Sequence, residues 1–281
     1  MGQEREHDGS DADAGTPPHA IARLVGVRKS FGSQVVLDGV DLEIPTARTT
    51  VVMGPSGCGK SVMLKHLVGL LKPDAGEIYY GQRRIDVLGE AQFTPIRLEV
   101  ALLFQGSALF DSMTVAENVE FPLLEHTRLT ERERGERVAG ALERVDMAGT
   151  QPKLPAQLSG GQKRRVALAR ALVLEPRMVL YDEPTTGLDP VRADGINELI
   201  LRLKRDLGVT NLVVTHDLTS ARKVADYCVM LLGGRIAAAG SFADLERCPD
   251  PRVQHFLHAQ YDHDDEVRQR NGTNGSTEAP R

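Results

Sequence analysis

The chain has 281 residues, enough for one large domain or two lobes around a substantial core. Its 34 basic and 39 acidic residues leave a net charge of −5, and with no Trp and 4% aromatics it lacks the basic stripe and stacking platform of a nucleic-acid binder. Cys58, Cys228 and Cys248 form no C-x-x-C pair, which argues against a disulfide framework or a zinc site, and no apolar run reaches the roughly 18–20 residues of a membrane-spanning helix.

The N-terminus is acidic and polar without a signal-peptide h-region, so a soluble cytoplasmic chain is expected. Residues 1–20 and 262–281 hold too few apolar side chains to offset their ordering entropy and are predicted to be flexible tails around a folded region of 21–261. Phe31 falls in the strand-like stretch "KSFGSQVVLDGVDLEI", where it reads on its own as a packed strand aromatic. "TTVVMG", Thr49–Gly54, predicts a buried strand ending in glycine.

The segment that follows, "GPSGCGKSV", fits G-x-x-x-x-G-K-[ST] with Gly54, Gly59, Lys60 and Ser61 on the fixed positions. Leu64, Leu67, Val68 and Leu71 then recur at helical spacing until Pro73. Strand, glycine turn and helix together predict a phosphate cradle, because backbone N–H groups converge at a helix N-terminus whose dipole favours negative charge. Lys60 is expected at the β- and γ-phosphates and Ser61 at a magnesium ion.

Gln105, after the apolar run "VALLF", reads by itself as a loop amide. Leu109, Phe110, Phe121, Leu123 and Leu124 either line a groove for a partner helix or belong to the core. Thr130 and Glu133 form a capping box ahead of Val138, Leu142 and Val145. In "LSGGQKRRVALARAL", Ser159, Gly160 and Gly161 precede an apolar-faced helix carrying Val166, Ala169 and Leu172, and Lys163, Arg164 and Arg165 are expected on a solvated or phosphate-facing helix start.

Met178–Tyr181 reads as a hydrophobic strand that delivers Asp182, suited to hold a metal through water, and Glu183, suited to orient an attacking water. Asp189 and Pro190 make an N-cap and N1 pair for a helix with Ile196, Leu199, Ile200, Leu203 and Leu207 on one face. "LVVTHD", Leu212–Asp217, is a further buried strand that brings His216 to the same sheet edge, as a γ-phosphate sensor. Near the end, Val253, Phe256, Leu257 and Tyr261 keep helical spacing.

These motifs, in this order over nearly all of 21–261, resemble those of ABC ATPases, with the signature intact as LSGGQ. The resemblance implies an α/β P-loop NTPase of ABC type, with a RecA-like core, an antiparallel β-subdomain and an α-helical subdomain at about 106–165. The ATPase domain is placed at 21–245 and a C-terminal helical extension at 246–261, which in related lipid-transport ATPases reaches a neighbouring subunit and otherwise packs on its own lobe. In that family two copies meet head to tail and each ATP lies between one copy's cradle and the other's signature.

Carried onto this chain, the nucleotide set is Phe31 for adenine, then Gly54, Pro55, Ser56, Gly57, Cys58, Gly59, Lys60, Ser61 and Val62, with Ser159, Gly160, Gly161, Gln162 and Asp189. Glu183, His216 and Gln105 are the implied catalytic residues, and Ser61, Gln105 and Asp182 the implied magnesium set. The stretches 59–78, 103–123 and 214–240 are most similar to the ATPase subunits of Mla and Mce lipid-trafficking systems. That implies a peripheral subunit on the cytoplasmic face of the inner membrane, joined to a permease, an MCE-domain protein and in many cases a STAS-domain subunit. Its work would be moving phospholipids between inner and outer membranes and so maintaining outer-membrane lipid asymmetry. An ATPase of an importer for amino acids or other polar solutes is the alternative; a soluble non-transport ABC ATPase and a P-loop kinase fit less well, since coiled-coil arms, zinc insertions and an acceptor site are not visible.

Overall fold

Alternation of inward apolar and outward polar residues builds an antiparallel sheet in the computed structural model, which describes residues 20–258. Apart from Ala20, the expected tails lie outside the described residues, as does Tyr261. β1 (Ala20–Phe31) pairs with β2 (Gln34–Pro45) on one edge and β4 (Ala75–Tyr80) on the other, and the short β5 (Arg83–Arg84) completes the order β2-β1-β4-β5. Leu24, Val27, Leu37, Val40, Ile44 and Ile78 point inward and are buried.

The second sheet has six strands in the order β10-β9-β3-β8-β7-β6. They are β3 (Thr49–Met53), β6 (Val100–Leu103), β7 (Met178–Asp182), β8 (Thr210–Thr215), β9 (Tyr227–Leu232) and β10 (Arg235–Gly240). All neighbours are parallel except the edge pair β9–β10. Every residue of β3 and β8 is buried, as expected for parallel strands covered on both faces.

The period of two divides those strands between two cores. Val51, Met53, Val179, Tyr181, Val213 and Met230 pack with α5 (Gly160–Leu172), α6 (Pro190–Leu207) and α7 (Leu218–Val224). Val52, Leu180, Leu212, Val214 and Val229 face α1 (Lys60–Leu67), α2 (Glu90–Glu99) and the antiparallel sheet. α3 (Val115–His126) and α4 (Glu131–Arg144) form the helical lobe against α5, each opened by a capping box, Thr114 with Glu117 and Thr130 with Glu133.

Some expectations need correction. The helix after the cradle stops at Leu67, not near Leu71, because Gly69 adopts φ +68 directly under the Phe93 ring and Leu71 is only half-buried. Of the groove candidates, Leu123 is a core residue, Leu109 packs on the same core, and Leu124 is exposed. α6 carries its apolar face through Leu203 and leaves Leu207 at the surface before the left-handed cap Gly208. Residues 251–258 are helical after α8 (Phe242–Glu246), and Val253, Phe256 and Leu257 join the core beneath α5–α7; within the described residues the C-terminal segment packs on its own lobe.

Candidate active site

Parallel register decides which chain segments meet. Met53 lies opposite Thr215 and Asp182 opposite Val214, so the loop after β3, the carboxylates after β7 and the imidazole after β8 leave adjacent strands at one sheet edge. The loop itself is closed by glycine where nothing else fits. A Cβ on Gly54 would sit 2.2 Å from the Leu231 carbonyl oxygen, and one on Gly59, at φ +108, would sit 2.7 Å from Leu37 Cδ2. Gly59 caps α1 with no side-chain hydrogen bond, which leaves the first-turn N–H groups turned toward the cleft.

Phe31, Val36, Lys60, Gln105, Glu183 and His216 line a cavity of about 450 Å³ at this edge, together with Ser56, Gly57, Gly59, Ser61, Val62 and Thr186. That volume is in the range of nucleotide-sized ligand sites. Phe31 is 47% exposed at the end of β1, with Lys29 Nζ 5.6 Å from its ring centre, so it is a rim aromatic and not a packed one. The buried Lys60 amine donates to the carbonyl oxygens of Gly54 at 2.7 Å and Pro55 at 3.1 Å, and lies 3.5 Å from Glu183 Oε1.

Ser61 Oγ donates to Asp182 Oδ1 at 2.7 Å, which brings a hydroxyl and a carboxylate to one point. This is hard oxygen chemistry suited to magnesium, which takes few protein ligands and keeps phosphate and water as the rest. Glu183 is the most constrained residue of the site. It is 8% exposed, its backbone is left-handed at φ +50, and its N–H donates to Val214 O at 3.0 Å across the strand end. A non-glycine residue held there stores strain of the kind that collects at functional positions.

The Glu183 carboxylate is fixed from three sides. Thr186 Oγ1 donates to Oε2 at 3.1 Å, Thr215 Oγ1 at 3.4 Å, and His216 Nδ1 lies 2.9 Å away. A carboxylate only accepts, so Nδ1 carries a proton and donates it to Glu183. Thr186 and Val36 were not singled out from the sequence; Thr186, three residues after Glu183, carried a signal in its hydroxyl.

Other candidates stand apart from the cavity. Cys58 lends its backbone to the loop, but its Sγ lies beside Gly54 against the core and burial pushes the thiol pKa up. Asp189 accepts from Arg192 N at 3.0 Å as the N-cap of α6, and it does not line the cavity. Ser159 caps α5, accepting from Gln162 N at 3.3 Å while Gln162 Oε1 accepts from Ser159 N at 3.0 Å. None of Ser159, Gly160, Gly161 and Gln162 lines the cavity. A Cβ on Gly160 or Gly161 would come no closer than 3.7 Å to the chain's own atoms outside its helix, so the fold of one copy does not demand glycine at either position.

A second cavity of about 440 Å³ is apolar and lies between the sheet and the helical lobe, with Leu102, Phe104, Phe110, Phe121 and Leu174 on its walls. Phe110 and Phe121 meet at 5.1 Å between ring centres. Both cavities border the same loop, since Gln105 lines the first and Phe104 and Ser107 the second.

The ABC transporter family model matches residues 37–186. The intermembrane phospholipid transport system ATP-binding protein MlaF of Escherichia coli K12 is 39% identical over 85% of this chain and 90% of its own length. A probable ribonucleotide transport ATP-binding protein, mkl, of Mycobacterium leprae is likewise 39% identical, over 88% of this chain and 72% of its own. Among solved structures, the ATP-binding cassette MJ0796, dimeric in a post-hydrolysis state with ADP and Pi, superposes with a TM-score of 0.72 at 34% identity, covering 78% of this chain and 98% of that one. The structure of cbiO1 from Clostridium perfringens, part of the ABC transporter complex cbiONQ, gives 0.75 at 29% identity, over 85% of this chain and 99% of that one.

Proposed function

Because the chain belongs to the ABC transporter family, as an ATP-binding, ATP-hydrolysing subunit, we propose that it is the motor of an inner-membrane transporter that moves phospholipid between membranes. The observation that carries the motor reading is the convergence of Lys60, Ser61, Glu183 and His216 on one cavity beside a helix N-terminus, with Asp182 behind it accepting from Ser61 Oγ. In this reading the cradle amides and Lys60 hold the β- and γ-phosphates and Phe31 stacks on the adenine. Ser61, Asp182 and Gln105 hold magnesium, which when bound neutralises charge between the phosphates. Glu183 takes a proton from the attacking water, and His216 bridges Glu183 and the γ-phosphate, a role that needs a proton on both ring nitrogens because carboxylate and phosphate oxygens both accept.

Two copies close over ATP, each giving Ser159, Gly160, Gly161 and Gln162 to the other's nucleotide, with Asp189 at the same seam. The glycines that one copy does not need for its own packing support this, as does the dimeric state of the solved relative. The apolar cavity beside the Gln105 loop suits a helix of a permease, in the helix-in-groove mode. Among the described residues no helix is long and apolar enough to cross a membrane; the peripheral position on the cytoplasmic face is proposed from the likeness to ATP-binding subunits of transport systems.

Phospholipid as cargo is supported by the likeness to the intermembrane phospholipid transport ATP-binding proteins MlaF of Escherichia coli and Haemophilus influenzae, and an MCE-domain partner and a STAS-domain subunit are proposed along with that cargo. The relative named for ribonucleotide transport favours a polar-solute reading instead. Purification from detergent-solubilised membranes separates them. Recovery of a permease, an MCE-domain protein and bound phospholipid by mass spectrometry is the expected result, and a solute-binding protein in their place would overturn the lipid assignment.

A further inference from the structure

Arg164 does not behave as one member of a solvated basic run. It is 8% exposed, on the second turn of α5, and no carboxylate among the described residues pairs with it. Its Nη1 donates to Thr186 O at 3.0 Å, and its Nη2 donates to Thr186 O at 3.0 Å and to Gln105 O at 3.2 Å. Burial lowers its pKa, which expresses the cost of keeping a guanidinium out of water without a counter-charge. Its neighbour Arg165 has an ordinary explanation, pairing with Asp146 at 2.5 Å and donating to Val145 O at 3.0 Å.

The two carbonyls that Arg164 grips belong to the segments that carry the site. Gln105 lines the cavity itself, and the Thr186 hydroxyl donates to Glu183 Oε2 at 3.1 Å. A planar fork fixes two acceptors relative to each other, which a point-charge ammonium does not do. The Gln105 loop needs holding, because Ser107 and Ala108 follow with left-handed backbones at φ 62 and φ 45. Farther along α5, Arg170 Nη2 donates to Ser107 O at 3.3 Å, so one helix supports this loop at two points.

We infer that Arg164 is a positioning residue for ATP hydrolysis: its guanidinium ties the Gln105 loop and the Thr186 turn to the helix that begins at Ser159, so that the metal-side amide, the Glu183 carboxylate and the signature move as one body. This rests on the roles given above to Gln105, Glu183 and Ser159. A displacement of one segment at the signature is then carried to the other two through a single side chain.

The test compares wild type with Arg164→Gln and Arg164→Lys. Three quantities are read: affinity for a fluorescent ATP analogue without magnesium, kcat, and the magnesium concentration giving half-maximal rate. Affinity stays within about twofold, kcat falls about 10- to 100-fold, and the magnesium requirement rises several-fold. Arg164→Lys, which keeps the charge and loses the fork, stays impaired. Equal loss of affinity, rate and thermal stability, with full rescue by Lys, overturns the proposal in favour of a purely structural charge. So does Arg164→Gln with kcat and magnesium requirement unchanged.

Should both variants fail to fold, hydrogen exchange of the wild type decides. On addition of MgATP, peptides covering 105–108, 159–165 and 184–187 gain protection at one common nucleotide concentration. Protection that appears in one of them at a different concentration from the others overturns the inference. Wild type without magnesium-dependent ATPase activity sinks the functional reading itself, an outcome distinct from an unaltered Arg164 variant of an active enzyme.

Discussion

Glu183 is held by three hydrogen-bond partners and a strained backbone, which is more support than a solvated strand-end acid needs. Its replacement by Gln preserves shape and keeps acceptor capacity for Thr186 and His216 while removing the base. Glu183→Gln therefore lowers phosphate release about 10²- to 10⁴-fold with nucleotide binding retained, measured by coupled-enzyme assay and by equilibrium binding. Turnover within tenfold of wild type removes Glu183 from the role of base. Cys58 makes a second residue-scale prediction from its surroundings. Its thiol is packed beside Gly54 and its pKa is raised, chiefly by burial, so the reactive thiolate is scarcer at a given pH than in an unhindered cysteine. Alkylation of Cys58, followed by peptide mass spectrometry, is slow at neutral pH and keeps accelerating above the pH at which a free thiol has levelled off. A rate equal to that of a free thiol across the range contradicts the packed position.

At the scale of elements, the C-terminal helical residues 251–258 are part of the fold's interior. Leu257 is 1% exposed and Val253 fully buried, both in the core shared with α5–α7. Leu257→Ala therefore costs about 2–5 kcal/mol in urea unfolding, through lost transfer energy and the cavity left behind. A loss under about 0.5 kcal/mol means that the segment docks elsewhere in solution. This element also shows what sequence reading reaches. Helical spacing of Val253, Phe256 and Leu257 identified a buried face but left open what it is buried against, because periodicity is local and packing partners are not. The strand, glycine turn and helix start around Gly54–Ser61, by contrast, were legible whole, since β3, the turn and the start of α1 are contiguous in sequence. The end of α1 was not, because Gly69 stops it under a ring from α2. Arg164 was misread for the same reason: charge predicts exposure unless a distant backbone supplies acceptors, and Thr186 and Gln105 are distant in sequence.

At the scale of the whole molecule, the cradle and the signature are both complete in one chain but do not share a cavity. Gly161 is buried in the first turn of α5, where an added Cβ would meet Arg192 Cδ at an ordinary 3.7 Å and an aspartate would stand at a helix N-terminus beside that guanidinium, so Gly161→Asp is expected to leave a folded single chain that still binds ATP. If the signature serves the partner's nucleotide, the same substitution blocks ATP-driven dimerisation of a Glu183→Gln background in light scattering and abolishes hydrolysis in the otherwise wild-type chain. If Lys60 holds phosphate, Lys60→Ala is inactive for the opposite reason, since it loses that contact and keeps the signature. Mixing the two inactive proteins tests the geometry directly. In a head-to-tail pair, the intact Lys60 of the Gly161→Asp chain faces the intact signature of the Lys60→Ala chain, giving one composite site per heterodimer. ATPase activity that appears on mixing, rises to a maximum at equal proportions and needs magnesium supports the shared site. Hydrolysis by Gly161→Asp alone at the wild-type rate refutes it, because a signature that serves no neighbour can carry an aspartate without cost to catalysis.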